Sequence, residues 1–356
     1  MLTFQPGALR AVTHLIARRM GSDEAEASEV ADHLVRANLA GHDSHGVGML
    51  PAYVRLLSAG LLVPNQTAET VLDAGALLVI DAKRGYGQRM AANAVRRAIA
   101  KAQEHGACVL GFRNSAHIGR IGTYAELAVS HGCAFTAFVN VADNHPQQAT
   151  FGAAEPRLGT NPFTVGVPGP NGEPVLLDMA TTTIAAGKAR VAYNKGVPVP
   201  DNSMIDADGT PTNDPTGFIR DKTGALKSFG LHKGGGLAIM CEIMATAVAG
   251  GQGLHTPSKG GVLNSMLATI IDLSKIGDRA AIEATVGASR AYVKSAKPAP
   301  GVTEVLTPGE PERLSAARRA IDGIEIDETS WADIKAAAVQ LGITDVEFDQ
   351  ASHANA

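Results

Sequence analysis

The chain has 356 residues, 45% of them hydrophobic, enough for two or three subdomains and a core that stands without covalent staples. Its 31 basic and 35 acidic residues give a formal charge of -4 with no basic run, so no nucleic-acid or membrane-surface footprint is present and a small-molecule partner is expected. Cys108, Cys133 and Cys241 stand singly in apolar surroundings, without the spacing of a zinc cluster or a disulfide framework, and read as core thiols in a reducing compartment.

The opening residues mix charges into apolar positions and lack a signal-peptide core, and no stretch reaches the roughly 20 apolar residues of a membrane helix, so a cytoplasmic protein is expected. Residues 6–40 predict two helices, the second capped by Ser22 or Asp23, and "GMLPAYVRLLSAG" predicts a third that ends at Gly60. "ETVLDAGALLVIDA" reads as strands around a turn, and residues 88–142 as helix, strand, helix, strand, with Gly106 closing the first helix. His105 and His131 sit at helix ends, where imidazole favours the negative pole of the helix. Residues 151–185 predict strands joined by tight turns, and 194–217, rich in Pro, Asp, Asn and Gly, a loop. "GGGLAIMCEIMATAVAGG" predicts a Gly-flanked apolar helix at 234–251, suited to the core or to a subunit contact. "DETSWADIKAAAVQLG" predicts a helix capped by Thr329 or Ser330.

Four segments hold candidate chemistry. In "GHDSHGVGML", His42 and His45 supply too few ligands for a metal by themselves, and Ser44 beside His45 lacks the strained elbow of a serine nucleophile. His117, in "RNSAHIGRIGTYAEL", falls where a strand turns into a helix; an imidazole there either passes a proton to an oxygen or ties the turn down. "KRGYGQRMA" has Met90 where a dinucleotide-binding Gly-x-Gly-x-x-Gly needs glycine. "LHKGGGLAIM" leaves bare backbone before a helix, beside His232 and Lys233.

Taken in order, "GHDSHGVGMLPAYVRLLSAG", "HIGRIGTYAELA", "RLGTNPFTVGVP", "LLDMATTTIAAGKARVA", "KGVPVP" and "HKGGGLAIMCEI" resemble the malate/L-lactate dehydrogenase family of the second type, over nearly the whole chain. The resemblance implies a mixed α/β fold that is not a Rossmann fold, with a nicotinamide-binding domain on a largely antiparallel sheet. It implies a helical part from residues 1–75 with 310–356, a central, substrate and dimer part from 76–115 and 185–309, a cofactor part from 116–184, and a homodimer. The activity implied is reversible hydride transfer between NAD or NADP and a small 2-oxo or 2-hydroxy acid, with no metal. A cyclic imine acid reductase and an inactive ligand-binding dimer are the alternatives.

By match to the family's motifs, His117 is the expected general acid/base, and His45 with Ser44 lines the nicotinamide and substrate site. Cofactor contacts are expected from His45, from Gly119, Arg120 and Ile121, and from Leu176, Leu177, Asp178, Met179 and Ala180. Further contacts are expected from His232, Lys233 and Asn264, and from Gly309, Glu310, Pro311 and Glu312. Met49, Thr160 and Asn161 are expected to line the substrate. Met49 stands where many family members carry an arginine for the substrate carboxylate, and Gly235 where tyrosine is usual.

Overall fold

The computed structural model describes residues 1–354. Its short apolar runs form the strands β1 (Glu69–Ala74), β2 (Leu77–Asp81), β3 (Ala107–Ser115), β4 (Cys133–Ala142), β5 (Phe163–Val167), β6 (Val175–Met179) and β7 (Leu263–Asp272). They make one sheet in the order β1-β2-β3-β7-β4-β5-β6, in which only the β2–β3 pair runs parallel. The largely antiparallel, mixed α/β architecture is therefore as expected. β7 comes last in the chain yet lies at the centre, pairing with β4 from Leu263↔Ala142 to Asp272↔Cys133 and with β3 on its other edge. Its nearly unbroken burial explains a sequence that is apolar almost without alternation.

The helices of eight residues or more are α1 (Pro6–Arg19), α2 (Glu24–Leu39), α3 (Leu50–Ser58), α4 (Gly87–His105), α5 (Gly122–Ser130) and α6 (Ala186–Lys195). They continue with α7 (His232–Ile243), α8 (Arg279–Lys294), α9 (Glu310–Asp322), α10 (Glu328–Gln340) and α11 (Asp345–Ser352). One sheet face packs on α4 and α5, where Val95, Ala98, Ile99, Tyr124 and Ala128 meet Leu110, Phe112, Phe135 and Ile270 in a single core. The opposite face meets α7 and the segment after it, pinned by Asn140 Nδ2 donating to Gln252 O at 2.9 Å. The sheet thus joins strands from segments that the resemblance assigns to a cofactor part and to a central part.

A second core unites α1, α2 and α3 with α10 and α11, through Leu9, Ile16, Leu34, Tyr53, Val54, Ile334 and Phe348. Residues 2–4 pair with 324–326, which ties the first and last thirds of the chain together. A small sheet of residues 148–149, 204–205, 211–212 and 225–227 packs with α6.

Two local expectations need correction. α10 is capped by Asp327, whose carboxylate accepts from Ser330 N at 2.9 Å, not by Thr329 or Ser330. The carboxylate one residue before the helix reaches the free amide of the helix's third residue, so Ser330 acts as a donor in the first turn. α7 begins at His232, so the glycines lie inside its first turns instead of flanking it. Gly234 packs too closely on Phe229 O to tolerate a side chain, since a Cβ there would lie 2.1 Å away. All three cysteines are buried and unpaired, as expected.

Candidate active site

After α2 the "DSHGVGM" segment forms two short helical turns, 43–45 and 47–49. Asn38 at the end of α2 holds both: its Nδ2 donates to Asp43 Oδ1 at 2.7 Å, and its Oδ1 accepts from Val47 N at 2.9 Å. Gly46 is required because a Cβ would fall 2.1 Å from that same Oδ1. Arg319 of α9 grips Asp43 through both carboxylate oxygens, at 2.7 and 3.0 Å. So fixed, Ser44 and His45 sit side by side, Ser44 Oγ 3.1 Å from His45 Nδ1.

The chain leaving β3 is held as tightly. Ile118 N donates to Asn264 Oδ1 (3.0 Å), Tyr124 Oη donates to Ile118 O (2.5 Å), and Arg120 N donates to His33 Nε2 (3.1 Å). Asp178 at the end of β6 accepts from Gly122 N at 2.7 Å and from Thr164 Oγ1 at 2.9 Å, placing a carboxylate at the start of α5. These contacts bring His117 against His45, with ring centres 5.6 Å apart and planes within 8°. His117 Nδ1 lies 2.8 Å from Tyr53 Oη of α3, and Gln88 of α4 touches that phenol at 2.6 Å.

Burial pushes the imidazoles down: His117 to about 3, helped by its neighbour His45, and His45 to about 4, helped by His42 and Arg120 and opposed by Asp178. His33, buried under the same turn, is lowered well below the usual range chiefly by burial. All three are neutral at pH 7, while their unfolded counterparts take up protons near 6.5. Between 6.5 and the folded values the unfolded chain binds more protons, so stability is full above 6.5 and declines as pH falls through that window. The urea midpoint should therefore drop from pH 7 to pH 5, and less so in His117→Phe; equal slopes for the two proteins would contradict it.

His45 borders a cleft of about 780 Å³ whose walls include Ser44, Gly119, Arg120, Ile121, Thr160, Asp178, Met179, Ala180, Pro311 and Glu312. A cavity of about 690 Å³ is lined by Arg36, Leu176, Arg279, Gly309 and Arg313, and Ala40, Arg120 and Glu312 border both spaces. Three distant segments of the sequence, 41–48, 119–121 and 178–180, thus converge with residues 309–312. His117 is half-buried beside His45, and Met49 packs partly into the helical core next to Gly48, which lines the cleft.

Other expected residues lie apart. Asn161 is fully buried behind the wall, where its amide donates to Ala238 O and Glu242 Oε2 and its oxygen accepts from Val141 N. Asn264 lies beneath Ile118, and Glu310 is paired with Lys294. His232 and Lys233 are exposed at the start of α7, outside both spaces. Among the described residues no group of three His, Cys, Asp or Glu side chains is arranged to hold a metal ion. Tyr53, Gln88 and His33 were not singled out from the sequence. Tyr53 reads as one more apolar position of α3, and Gln88 ends "GYGQ", the stretch set aside as a failed nucleotide fingerprint.

The family model for malate/L-lactate dehydrogenase matches residues 4–335. Hydroxycarboxylate dehydrogenase B of Escherichia coli strain K12 is 42% identical over 344 residues, covering 96% of this chain and 94% of that protein. L-lactate dehydrogenase of Cupriavidus necator is 37% identical, covering 92% and 94%. A solved structure from Escherichia coli, 40% identical, superposes with a TM-score of 0.94 over 99% of this chain and 98% of that one. The matched family model, the relatives and the shared fold agree: the chain belongs to the malate/L-lactate dehydrogenase family.

Proposed function

We propose that this dehydrogenase interconverts a 2-oxo acid and its 2-hydroxy acid with a nicotinamide dinucleotide, and that His117 exchanges the proton with the substrate oxygen. The observation that carries the reading is the stacking of His117 on His45, which lines a cleft that shares the wall residues Ala40, Arg120 and Glu312 with a second cavity. Two adjacent spaces suit the two halves of a dinucleotide. Arg120, on the wall common to both, is paired through Nη1 with Glu126 at 2.6 Å, while its buried Nε, 3.8 Å from Asp178 Oδ2, makes no hydrogen bond and keeps a donor for a ligand oxygen.

Gly119, Arg120, Ile121, Asp178, Met179, Ala180, Pro311 and Glu312 would hold the cofactor in the cleft, and Leu176 and Gly309 in the adjoining cavity. When bound, the reduced nicotinamide supplies the hydride that forms the new C–H bond. His45 and Ser44 wall the reacting face, and His117 delivers the proton to the carbonyl oxygen. Neutral His117 is already the proton acceptor needed for oxidation of a hydroxy acid. For reduction it must first take up a proton, and the carboxylate of a 2-oxo acid bound in the cleft that His45 lines would favour that uptake.

Absorbance of NADH and of NADPH, followed with phenylpyruvate, 2-oxoglutarate, pyruvate, oxaloacetate and a cyclic imine acid, tests the reading and chooses cofactor and substrate together. Substrate-dependent decay is expected with 2-oxo acids. Decay with the imine alone would favour imine reduction, and a flat trace despite cofactor binding would favour an inactive binder. Met49, next to the cleft residue Gly48 and packed on the helical core, stands where the resemblance expects an arginine for the substrate, so kcat/KM is expected to favour phenylpyruvate over oxaloacetate. The reverse order would count against that role.

The same reading includes a homodimer and a cytoplasmic setting. α7 exposes Ile239, Met240 and Ile243, and the segments flanking it expose Leu231 and Val248, apolar side chains suited to a second copy. Met240→Lys is expected to shift the sedimenting species toward monomer, and an unchanged species would exclude this face. Three buried free thiols fit a reducing compartment, and no helix among the described residues is long and apolar enough to cross a membrane.

A further inference from the structure

We propose that Gln88 is a positioning residue that acts through Tyr53 to fix which nitrogen of His117 exchanges the proton, an inference that rests on the reading of His117 above. Gln88, in the first turn of α4, is fully buried, and Tyr53 is 1% exposed. Tyr53 Oη lies 2.6 Å from the Gln88 amide and 2.8 Å from His117 Nδ1. A phenol has one proton, so it donates at only one of these contacts.

A side-chain amide fits its site in two orientations related by a half-turn. With its NH2 toward Tyr53, Gln88 would donate over 2.6 Å, which is short for an N–H···O bond. With its carbonyl oxygen toward Tyr53, the same separation is an ordinary O–H···O bond donated by the phenol. The phenol oxygen then offers His117 only lone pairs, so His117 Nδ1–H donates to it.

Neutral His117 held this way keeps its proton on Nδ1 and leaves Nε2 free. In oxidation the O–H bond of the hydroxy acid breaks and an Nε2–H bond forms, giving the imidazolium, while the hydride passes to the oxidised nicotinamide. The imidazolium then returns its Nε2 proton to solvent. The opposite orientation would place the neutral ring's proton on Nε2, where it cannot accept another. Burial pushes the Tyr53 phenol up, so Tyr53 keeps its proton and serves as an orienting contact.

Histidine nitrogen NMR on the purified full-length chain, with His117 assigned by its loss in His117→Ala, reads the tautomer directly. Protonation at Nδ1 is expected in the wild type, and a neutral ring protonated at Nε2 overturns the proposal. Gln88→Met is expected to mix the two tautomers and lower kcat roughly ten- to hundredfold, below the full loss of an acid/base group, with KM for the 2-oxo acid little changed. Gln88→Glu restores an acceptor for the phenol, so it should recover part of that rate and move the pH profile upward through its added negative charge.

Gln88→Met with the wild-type tautomer, rate and pH profile would overturn the assignment. If that variant does not fold, the wild-type spectrum alone decides. An active His117→Ala enzyme would instead refute the reading of His117, whereas an inactive one beside an indifferent Gln88→Met refutes only the role of Gln88.

Discussion

Replacing His117 by alanine is expected to lower turnover by roughly 10²–10⁴-fold, the range for loss of a general acid/base, while binding of the reduced nicotinamide is largely kept. The split follows from position. His117 is held by Tyr53 and stacked on His45, whereas the walls of the adjoining cavity come from other segments. Alanine removes the proton-carrying ring and leaves those walls in place. The check is kcat at saturating substrate together with a fluorescence titration of NADH and NADPH. Turnover within threefold of the wild type would remove His117 from the chemistry, and loss of cofactor binding with loss of turnover would make its role structural.

Gly119→Ala is expected to destabilise the fold by about 2–5 kcal/mol, combining the cost of a left-handed backbone for an L-residue with overpacking of a filled site. Gly119 has φ +71°, and a Cβ there would lie 2.3 Å from His33 Nε2, the atom that accepts from Arg120 N. The new methyl group can be accommodated only by breaking that contact and shifting Arg120, which borders both ligand spaces. Urea unfolding of the two proteins measures the energy, and cofactor titration measures the shift. A loss below about 1 kcal/mol would mean that the turn relaxes freely, because overpacking alone costs about that much. His33→Ala in the same background should recover only the steric part, since the positive φ remains.

Local chemistry made much of the architecture legible. The cap at Asp23, the C-terminal Gly106, the strand pair around residue 75 and the helix–strand alternation of residues 88–142 all follow from propensities and hydrogen bonds that act within a few residues. Motif order was equally legible, because the residues at 41–48, 117–121 and 176–180 are fixed by backbone turns and close packing that few other residues satisfy. Gly46 and Gly119 are such cases, each facing a side-chain atom where a Cβ would sit.

The strand order could not be read, because β7 is inserted between β3 and β4 from more than 100 residues away and no local period encodes a partner at that distance. The site itself has the same character. Asn161 sits beside Thr160 in the chain, yet it is turned inward to satisfy Ala238 O and Glu242, while Thr160 reaches the cleft. Tyr53 and Gln88 look like ordinary helix residues until α3 and α4 meet over His117. Sequence alone determined the family, the elements and the reactive residue types, since these depend on residue identity and near neighbours. Only the tertiary structure decided which polar groups converge, because a buried polar group is placed by whichever partners, often hundreds of residues away, satisfy its hydrogen bonds.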